Sequence, residues 1–510
     1  MNMKYVIAYD LGTGGVKTSI FNEKGISCGF HFIPYDTFFP SADFREQSPQ
    51  TWWQAVKEST KVLISKTSIN VEDIVSLAVS GHSLGVVPIG YRGELLLDYV
   101  PIWNDSRAQE QAKDFFTRTS EEEWYLSTGN GFPPELYSIF KIMWYRDNMP
   151  DVYDKTNKFI GTKDFINYKM TGVIATDKSY ASGSGVYNLK EGKYNEKYIE
   201  VSKIDISKLP PILKSTDVVG EIIPEIANEL GLSPKTLVIA GGVDNACMAL
   251  GAGCVENGSV YTSLGTSAWI AVCDSNPIVD IGKRPYVFEH CVEGKYVSAT
   301  AIFSAGNSLR WVRDNLFSDL CQNEAEGGDS AYKIIDELAD SSPLGANKLF
   351  FIPTLSGASC LDKSKNAKGM FIGLDLMHTR ADLARATLEG IALNLRFALN
   401  VLADYAKISD DMLIVGGGAK SKVWRQIFAD IYNKNIITTD IGEDAGSFGA
   451  AAIAGVGADI WTDFSEAINS IATRTCISPS ENMECYNSLH SAYKQLLDIS
   501  ADAGDIINMI

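Results

Sequence analysis

The sequence predicts an α/β protein of two similar domains, and three observations predict it. Strand-like apolar runs alternate with helix-like segments along the chain. A strand–turn–strand pattern at the start is repeated past the middle, with nearly the same turn: Asp10-Leu-Gly-Thr-Gly-Gly15 first, Ser263-Leu-Gly-Thr-Ser267 later. At 510 residues the chain is also too long for one hydrophobic core, and the length prior is two to four domains.

Taken in order, residues 4–35 read as three strands, Tyr5–Tyr9, Val16–Phe21 and Ile26–Ile33. Asn22-Glu-Lys-Gly25 is a good hairpin connection between the last two. A helix over Pro49–Ser65 and a strand over Ile74–Val79 come next. The first half continues to the strand Leu237–Ala240, after which Gly241–Gly253 gathers small residues and turn formers. The pattern restarts over Ser259–Val272. The boundary is therefore set inside the small-residue cluster, giving domains 1–245 and 246–510, with a hinge there. In the second half, Asp382–Tyr405 carries Leu383, Ala386, Ile391, Leu395, Leu399 and Leu402 at close to helical spacing, and Thr379 with Asp382 resembles a capping box. Val423–Tyr432 puts Trp424, Ile427, Phe428 and Ile431 on one face. Tyr486–Ile499 reads as a closing helix, a candidate to pack back on the N-terminal domain.

Composition narrows the function classes. The chain is 45% hydrophobic and 21% charged, with a formal net charge of −18. Nucleic acid or an anionic membrane as the main partner would need a basic surface instead. The start, Met1-Asn-Met-Lys4, leads straight into a strand pattern without a signal-like apolar region, and no apolar run of membrane-spanning length is read, so a cytoplasmic protein is expected. The nine cysteines are scattered without a CxxC pair, and the five histidines have no ligand spacing. Neither a disulfide framework nor a protein-built transition-metal site is expected.

The repeated turn carries the chemistry. Gly12, Gly14 and Gly15 let the backbone approach a ligand and point N–H groups at it, and Thr13 adds a hydroxyl. Asp10 would repel a bare phosphate, so it makes sense beside a cation, holding Mg²⁺ directly or through water. Lys17 either adds positive charge or is a solvated strand residue. The second copy keeps Gly265 and Thr266 but lacks the carboxylate. Two such loops, one with a metal ligand, suggest two jaws closing on the phosphates of one nucleotide. A third glycine turn, Gly416-Gly-Gly-Ala419, follows the strand at Asp411 and precedes Ser421 as a helix N-cap. It is neither a GxxxxGK[ST] loop nor a GxGxxG fingerprint. Asp244, between strand and helix at the presumed hinge, is either a helix N-cap or a carboxylate placed to take a proton from an attacking hydroxyl.

Together these pieces resemble the FGGY family of carbohydrate kinases. Gly369-Met-Phe-Ile-Gly-Leu374 followed by Asp382–Glu389 agrees with the family's C-terminal signature at every defined position. The other signature, Leu136–Asn148, keeps Ser138, Lys141, Trp144 and Asp147 but departs at Leu136 and Tyr145. The resemblance runs from Asp10 to about Gly449. It implies two ribonuclease-H-like (actin/hexokinase-type) domains with a cleft between them, and an ATP- and Mg²⁺-dependent kinase of a small sugar. By position it implies Asp10, Gly12 and Thr13 as the first phosphate and magnesium loop, and Gly265 and Thr266 as the second. It implies Asp244 as catalytic base with Asn245 near the sugar, and Gly306, Gly417, Gly418 and Ala419 around the nucleotide. Trp103, Asn104 and Asp105 fall in the sugar-site stretch Ile102–Arg107, where Trp103 would stack on the sugar and Asp105 with Arg107 would organise the pocket. Ser80–Gly85 matches the main sugar-recognition turn, where glycerol kinases carry Arg-Glu and xylulokinases Met-His; here His82, Ser83 and Leu84 stand. The general layout is that of pentulose kinases such as xylulokinase, with ribulose, gluconate or erythritol as alternative substrates and a homodimer left open. A sugar-binding pseudokinase, a nucleotide-driven conformational protein and a sugar-responsive repressor are the rival readings. Intact Asp10, Thr13, Asp244 and Thr266 weigh against the first, the sugar-site stretch against the second, and the absence of a basic helix-turn-helix extension against the third.

Overall fold

The apolar run at the start forms β1 (Tyr5–Gly12), with Val6–Tyr9 buried on both faces as a strand inside a covered sheet must be. The computed structural model describes residues 3–302, 304–359, 361–442, 444–471 and 474–510. A tight turn at Thr13-Gly14 leads into β2 (Gly15–Asn22), and a second, with Gly25 at φ +72°, leads into β3 (Ser27–Pro34). Helix α1 (Pro49–Lys66) lays Trp52, Trp53 and Val56 on this sheet, and β4 (Ile74–Gly81) pairs parallel to β1. Further on come α2 (Thr162–Thr171), β5 (Val218–Glu221), β6 (Leu237–Val243) and α3 (Asp244–Gly251). The six strands lie in the order β5-β6-β4-β1-β2-β3.

The pattern then restarts as the repeated turn predicts. Strands β7 (Val260–Leu264) and β8 (Ala268–Asp274) form a second hairpin. Helices α4 (Gly306–Leu316), α5 (Ala331–Ser341) and α6 (Arg380–Ala403) precede β9 (Asp411–Val415), α7 (Lys422–Tyr432) and β10 (Asn435–Thr439). Helix α8 (Ala445–Gly457), β11 (Arg474–Ile477) and α9 (Met483–Ile507) complete the chain. Five consecutive strands of the second, seven-stranded sheet run β8-β7-β9-β10-β11. The two sheets share one plan. A hairpin strand (β1 or β7) is flanked on one side by its antiparallel partner and on the other by two parallel strands, with an antiparallel strand at the far edge.

The chain divides into two compact units. Unit 1 comprises Met1–Glu256, Cys273–Ser298 and Asp444–Ala472, and unit 2 comprises Asn257–Val272, Ala299–Glu443 and Thr473–Ile510. The sequence boundary at 245/246 falls inside α3, because the small-residue cluster is a helix that belongs to the first sheet rather than a linker. The return of the C-terminal half to unit 1 is made by α8 and not by the last helix. Nine of the thirteen residues of α8 are Ala or Gly, and this lets its backbone approach closely. A Cβ on Gly449 would lie 1.9 Å from the Cys247 carbonyl oxygen, and one on Gly251 1.8 Å from that of Ala445. Helix α9 instead packs within unit 2. Tyr486 Oη donates to Glu389 Oε1 at 2.6 Å, and Gly504 lets it pass the Asn366 carbonyl, which a Cβ would meet at 2.0 Å. Among the described residues α6 alone is long and apolar enough to cross a membrane, and 72% of its most apolar window is buried inside unit 2.

Candidate active site

In unit 1 the parallel pairing levels Asp10 with Ser80 and Ser80 with Gly242 across β1, β4 and β6, so three chain turns emerge together at the C-terminal edge of the sheet. They carry Asp10 and Thr13, His82 and Ser83, and Asp244 with Asn245. Ser80 Oγ donates to Asp10 Oδ1 at 3.0 Å. The other oxygen faces the first turn of α8, where a Cβ on Gly446 would come within 3.0 Å of Oδ2. Burial raises the Asp10 pKa, while Ser80 and the Lys17 charge lower it. Asp244 opens α3, and its Oδ1 accepts from the Asn245 N–H at 2.8 Å and from Nδ2 at 3.1 Å. Burial, with Asp10 adding to it, pushes the Asp244 carboxyl up to about 7 despite that N–H bond. Two buried carboxylates, Asp10 acting on Asp244, are a set of hard oxygen donors, the kind Mg²⁺ takes in small number alongside water and phosphate.

The stretch Ile102–Arg107 is held from several sides. Trp103 Nε1 donates to Thr13 Oγ1 at 3.0 Å, and Gln47 Nε2 donates to the Thr13 carbonyl at 2.7 Å. Lys141 Nζ, from the helix Ser138–Asn148, donates to the carbonyls of Leu84 (3.1 Å) and Ile102 (2.7 Å), and burial brings its pKa down to about 7. Asp105 is fully buried. Arg107 grips both its oxygens at 2.8 Å and the Arg45 N–H takes Oδ2 at 2.7 Å. These bonds occupy both oxygens of Asp105 and leave the carboxylate little capacity for a direct contact with a ligand. Asn104 Oδ1 is buried without a hydrogen-bond partner among the described residues. His82 is 1% exposed, its ring lies edge-on to Trp52 with centroids 5.5 Å apart, and neither ring nitrogen has a hydrogen-bond partner among the described residues. Burial lowers its pKa to about 3, so the ring is neutral, offering one donor and one acceptor. Ser83 is buried beside it. Lys17 stands opposite Asp10 in the β1–β2 register, yet its ammonium is taken by Asp444 just before α8 and lies 4.4 Å from the Phe30 ring centroid. That pairing turns it toward α8, so it acts on Asp10 through its field and not as a solvated strand residue.

In unit 2 the second copy of the turn lines a cavity of about 660 Å³ together with the start of α4, the face of α5 and the glycine turn after β9. Gly265 and Thr266 are tied to the α4 start: Gly306 N donates to Gly265 O at 3.0 Å and Asn307 N to Thr266 O at 2.9 Å. Gly306 cannot be replaced without strain, since a Cβ would lie 2.3 Å from Gly265 O. Gly416 (φ +92°) and Gly418 pack on Leu264, whereas Gly417 faces open space. Ala419 N closes this turn on Gly416 O at 3.0 Å, and Ser421 caps α7 by accepting from Trp424 N at 3.0 Å, as the sequence predicts. Arg310, Tyr332, Lys333 and Asp336 also line the cavity. The sequence does not single them out because α4 and α5 carry no motif. Gln47, in the two-residue strand Glu46–Gln47, also lies in no motif.

Comparison with known proteins places the chain in a family. The model of the FGGY family of carbohydrate kinases matches with its N-terminal domain at residues 5–251 and its C-terminal domain at 260–458. A xylulose kinase of Staphylococcus xylosus is 30% identical over 499 residues, covering 97% of this chain and all of the relative. Two solved structures from Lactobacillus acidophilus, a gluconate kinase and a ligand-bound xylulose kinase, each superpose with TM-score 0.89 at 25% identity over 99% of this chain and 100% of theirs.

Proposed function

Because the chain belongs to the FGGY family of carbohydrate kinases, and is thus a sugar kinase that uses ATP, we propose that its acceptor is an uncharged pentulose, xylulose foremost. The observation that carries this choice is His82: a buried, neutral imidazole with no hydrogen-bond partner on either nitrogen among the described residues, next in the chain to a strand whose neighbours carry Asp10 near one end and lead into Asp244. A neutral donor–acceptor pair suits sugar hydroxyls, and two carboxylates repel the anionic end of a sugar acid such as gluconate. In this reading Trp103 covers the apolar face of the sugar, and Asn104, Ser83 and Asn245 supply further hydrogen bonds. The cavity beside Gly265, Thr266 and Gly417 takes the nucleotide. The setting is the cytoplasm, where ATP is at hand.

Asp244 accepts the proton of the attacking hydroxyl as its oxygen bonds to the γ-phosphorus and the bond to the β–γ bridging oxygen breaks, releasing ADP. The transition state of such transfers is loose and the proton leaves late, so a carboxylate near pKa 7 is basic enough. Backbone N–H groups at the Gly12–Thr13 turn hold phosphate oxygens, and Trp103 keeps the Thr13 hydroxyl in place. Asp10 would hold Mg²⁺, which when bound supplies charge neutralisation to the phosphates.

The test is ADP release from ATP with D-xylulose, L-xylulose, D-ribulose, L-ribulose, gluconate, erythritol and glycerol. A pentulose should give the highest turnover and gluconate the lowest of the panel. Gluconate as the best substrate would overturn the pentulose assignment, and ADP release with none of them would overturn kinase activity on small sugars.

A further inference from the structure

The strand that delivers Asp244 is not regular. Its pairing with β4 shifts between Ile239 and Gly242, and Gly241 takes φ +78°, where a Cβ would strike the Val79 carbonyl at 2.3 Å. A bulge re-aims the residues beyond it, and here the re-aimed residue, three positions on, is Asp244. A bulge also frees backbone groups from the sheet ladder, and buried ones must be satisfied elsewhere. In this protein they are satisfied by a buried polar cluster that takes no part in the phosphoryl transfer.

Lys163, on α2, has no exposed surface, and its three ammonium donors are all engaged: Asp164 Oδ1 at 2.6 Å, Asp177 Oδ1 at 2.9 Å and the carbonyl of Ala240 at 3.0 Å. Asn167, one turn along α2, donates Nδ2 to the same Ala240 carbonyl at 2.9 Å. Asp177 Oδ2 accepts from the hydroxyls of Ser179 (2.5 Å) and Ser215 (2.7 Å). Ser179 Oγ, its proton committed to Asp177, then accepts from the N–H of Val243 at 2.9 Å, and the Ser215 carbonyl takes the N–H of Gly241 at 3.1 Å. The bulge is thus gripped at 240, 241 and 243 by groups that Asp177 and Lys163 orient. The closeness of α2 to the sheet is itself encoded, since a Cβ on Gly81 would lie 2.7 Å from that of Lys163.

We propose that the Lys163–Asp177–Ser179 cluster, with Asn167, is a positioning device for Asp244: it fixes the β6 bulge and thereby the direction in which the carboxylate leaves the sheet. The proposal rests on Asp244 being the base. A burial-driven alternative, in which the cluster only helps the domain fold, makes a different prediction. Loss of alignment at a reacting centre lowers the chemical step and leaves binding alone, whereas loss of fold lowers the amount of active protein.

The test uses the full chain with ATP, Mg²⁺ and the panel sugar of highest turnover. Ser179→Ala removes the acceptor for the Val243 N–H, Asn167→Ala removes one of two donors to the Ala240 carbonyl, and Ser179→Thr keeps the hydroxyl. Lys163→Met strands two buried carboxylates and is made only for comparison, since it can fail to fold. The expected result is kcat reduced about tenfold or more in Ser179→Ala and Asn167→Ala, KM for ATP and sugar within about twofold, an unchanged circular-dichroism spectrum, and recovery of most of kcat in Ser179→Thr. In the Asp244→Asn background, Ser179→Ala should change the residual rate by less than about twofold, because there is no base left to aim. Folded Ser179→Ala and Asn167→Ala proteins with wild-type kcat, beside an inactive Asp244→Asn, would overturn the positioning role while leaving the base assignment standing. An active Asp244→Asn would overturn the base assignment itself, and the positioning role with it.

Discussion

At the scale of single residues, Asp244 joins two consequences that can be measured separately. Its carboxyl is pushed up to about 7 by burial, with Asp10 adding. A base must be ionised to work, so turnover should fall about tenfold per pH unit below about pH 7. Asp244→Asn should lose nearly all turnover while still binding ATP by calorimetry; near-normal turnover would remove Asp244 from the reaction. The same raised pKa has an opposite effect on stability. Folding favours the neutral acid, so this contribution is full below the ordinary carboxylate pKa and is lost as pH rises through about 7. The free protein should therefore gain stability at pH 8 on Asp244→Asn, by roughly 1–3 kcal/mol after allowing for residual solvent. Denaturant unfolding at pH 5 and pH 8 checks it: equal gains at both values would mean that the charge is not the cause. His82 makes the complementary case. With its pKa lowered to about 3, it keeps one protonation state across the working range, so sugar KM should not follow a histidine titration.

At the scale of elements, two contacts carry predictions, and both concern a helix start. Helix α4 begins at Gly306, whose missing side chain lets the Gly265 carbonyl approach. Gly306→Ala would place a Cβ 2.3 Å from that backbone oxygen, which cannot swing away as a side chain could. The hairpin tip at Gly265–Thr266 should shift, raising KM for ATP about tenfold, worth ~1.4 kcal/mol, with sugar KM little changed. Steady-state kinetics with each substrate varied decides it, and an unchanged KM for ATP would dissociate this tip from the nucleotide. Helix α6 begins at Thr379, where Asp382 Oδ2 accepts from the Thr379 N–H at 2.8 Å and Oδ1 from Ser342 Oγ at 2.7 Å. Those bonds, outweighing its burial, hold the Asp382 pKa at about 2. Its contribution is present above the ordinary carboxylate pKa and lost as pH falls toward about 2, and Asp382→Ala should cost roughly 1–3 kcal/mol at pH 7 in a thermal or denaturant melt. The capping box was legible in the sequence because a cap is a local device: two residues three apart announce it. The hairpin tips and Asp244 were legible for the same reason, as short patterns at strand ends. The family signature at 369–389 was legible too, yet its Asp382, Arg385 and Glu389 turn out to cap α6 and tie it to Tyr486. What identifies the family there is scaffolding. Lys163, Asp177 and Gln47 could not be read, because in each case a partner that places them is far along the chain: Thr13 lies 34 positions from Gln47, Ser215 38 from Asp177 and Ala240 77 from Lys163. Such pairings are set by topology.

At the scale of the whole molecule, the arrangement of segments decides what can fold alone. The repeated hairpin invites cutting the chain in two near its middle, and the sequence boundary at 245/246 does so. The contacts do not allow it. Unit 1 is finished by α8, some two hundred positions further on, whose residues Ala445–Gly455 are all buried against α3, β1 and β4. Ser76 Oγ donates to the Ala454 carbonyl at 2.8 Å, and Lys17 pairs with Asp444. A fragment of residues 1–256 would expose the faces of β1 and β4 that α8 covers. Phe21, which meets Phe448 edge-on at 5.5 Å, would lose its cover, and Ser76 and Lys17 would lose their partners. Large apolar side chains contribute about 1.5–3 kcal/mol each when buried, so losing Phe448, Ile453 and the alanines around them removes an amount comparable to the whole stability of a domain. The fragment should therefore be insoluble or lack a cooperative transition. Adding residues 444–471 in the same polypeptide through a flexible linker should restore a cooperative melt, because the linker turns α8 binding into an intramolecular event. A fragment 1–256 that melts cooperatively on its own would show that α8 is dispensable for unit 1. The interleaving also places the start of α8 against Asp10. A strand end in the first ten residues and a helix start past 440 thus meet at one carboxylate, so the same packing that completes the fold sets the surroundings of the proposed metal ligand.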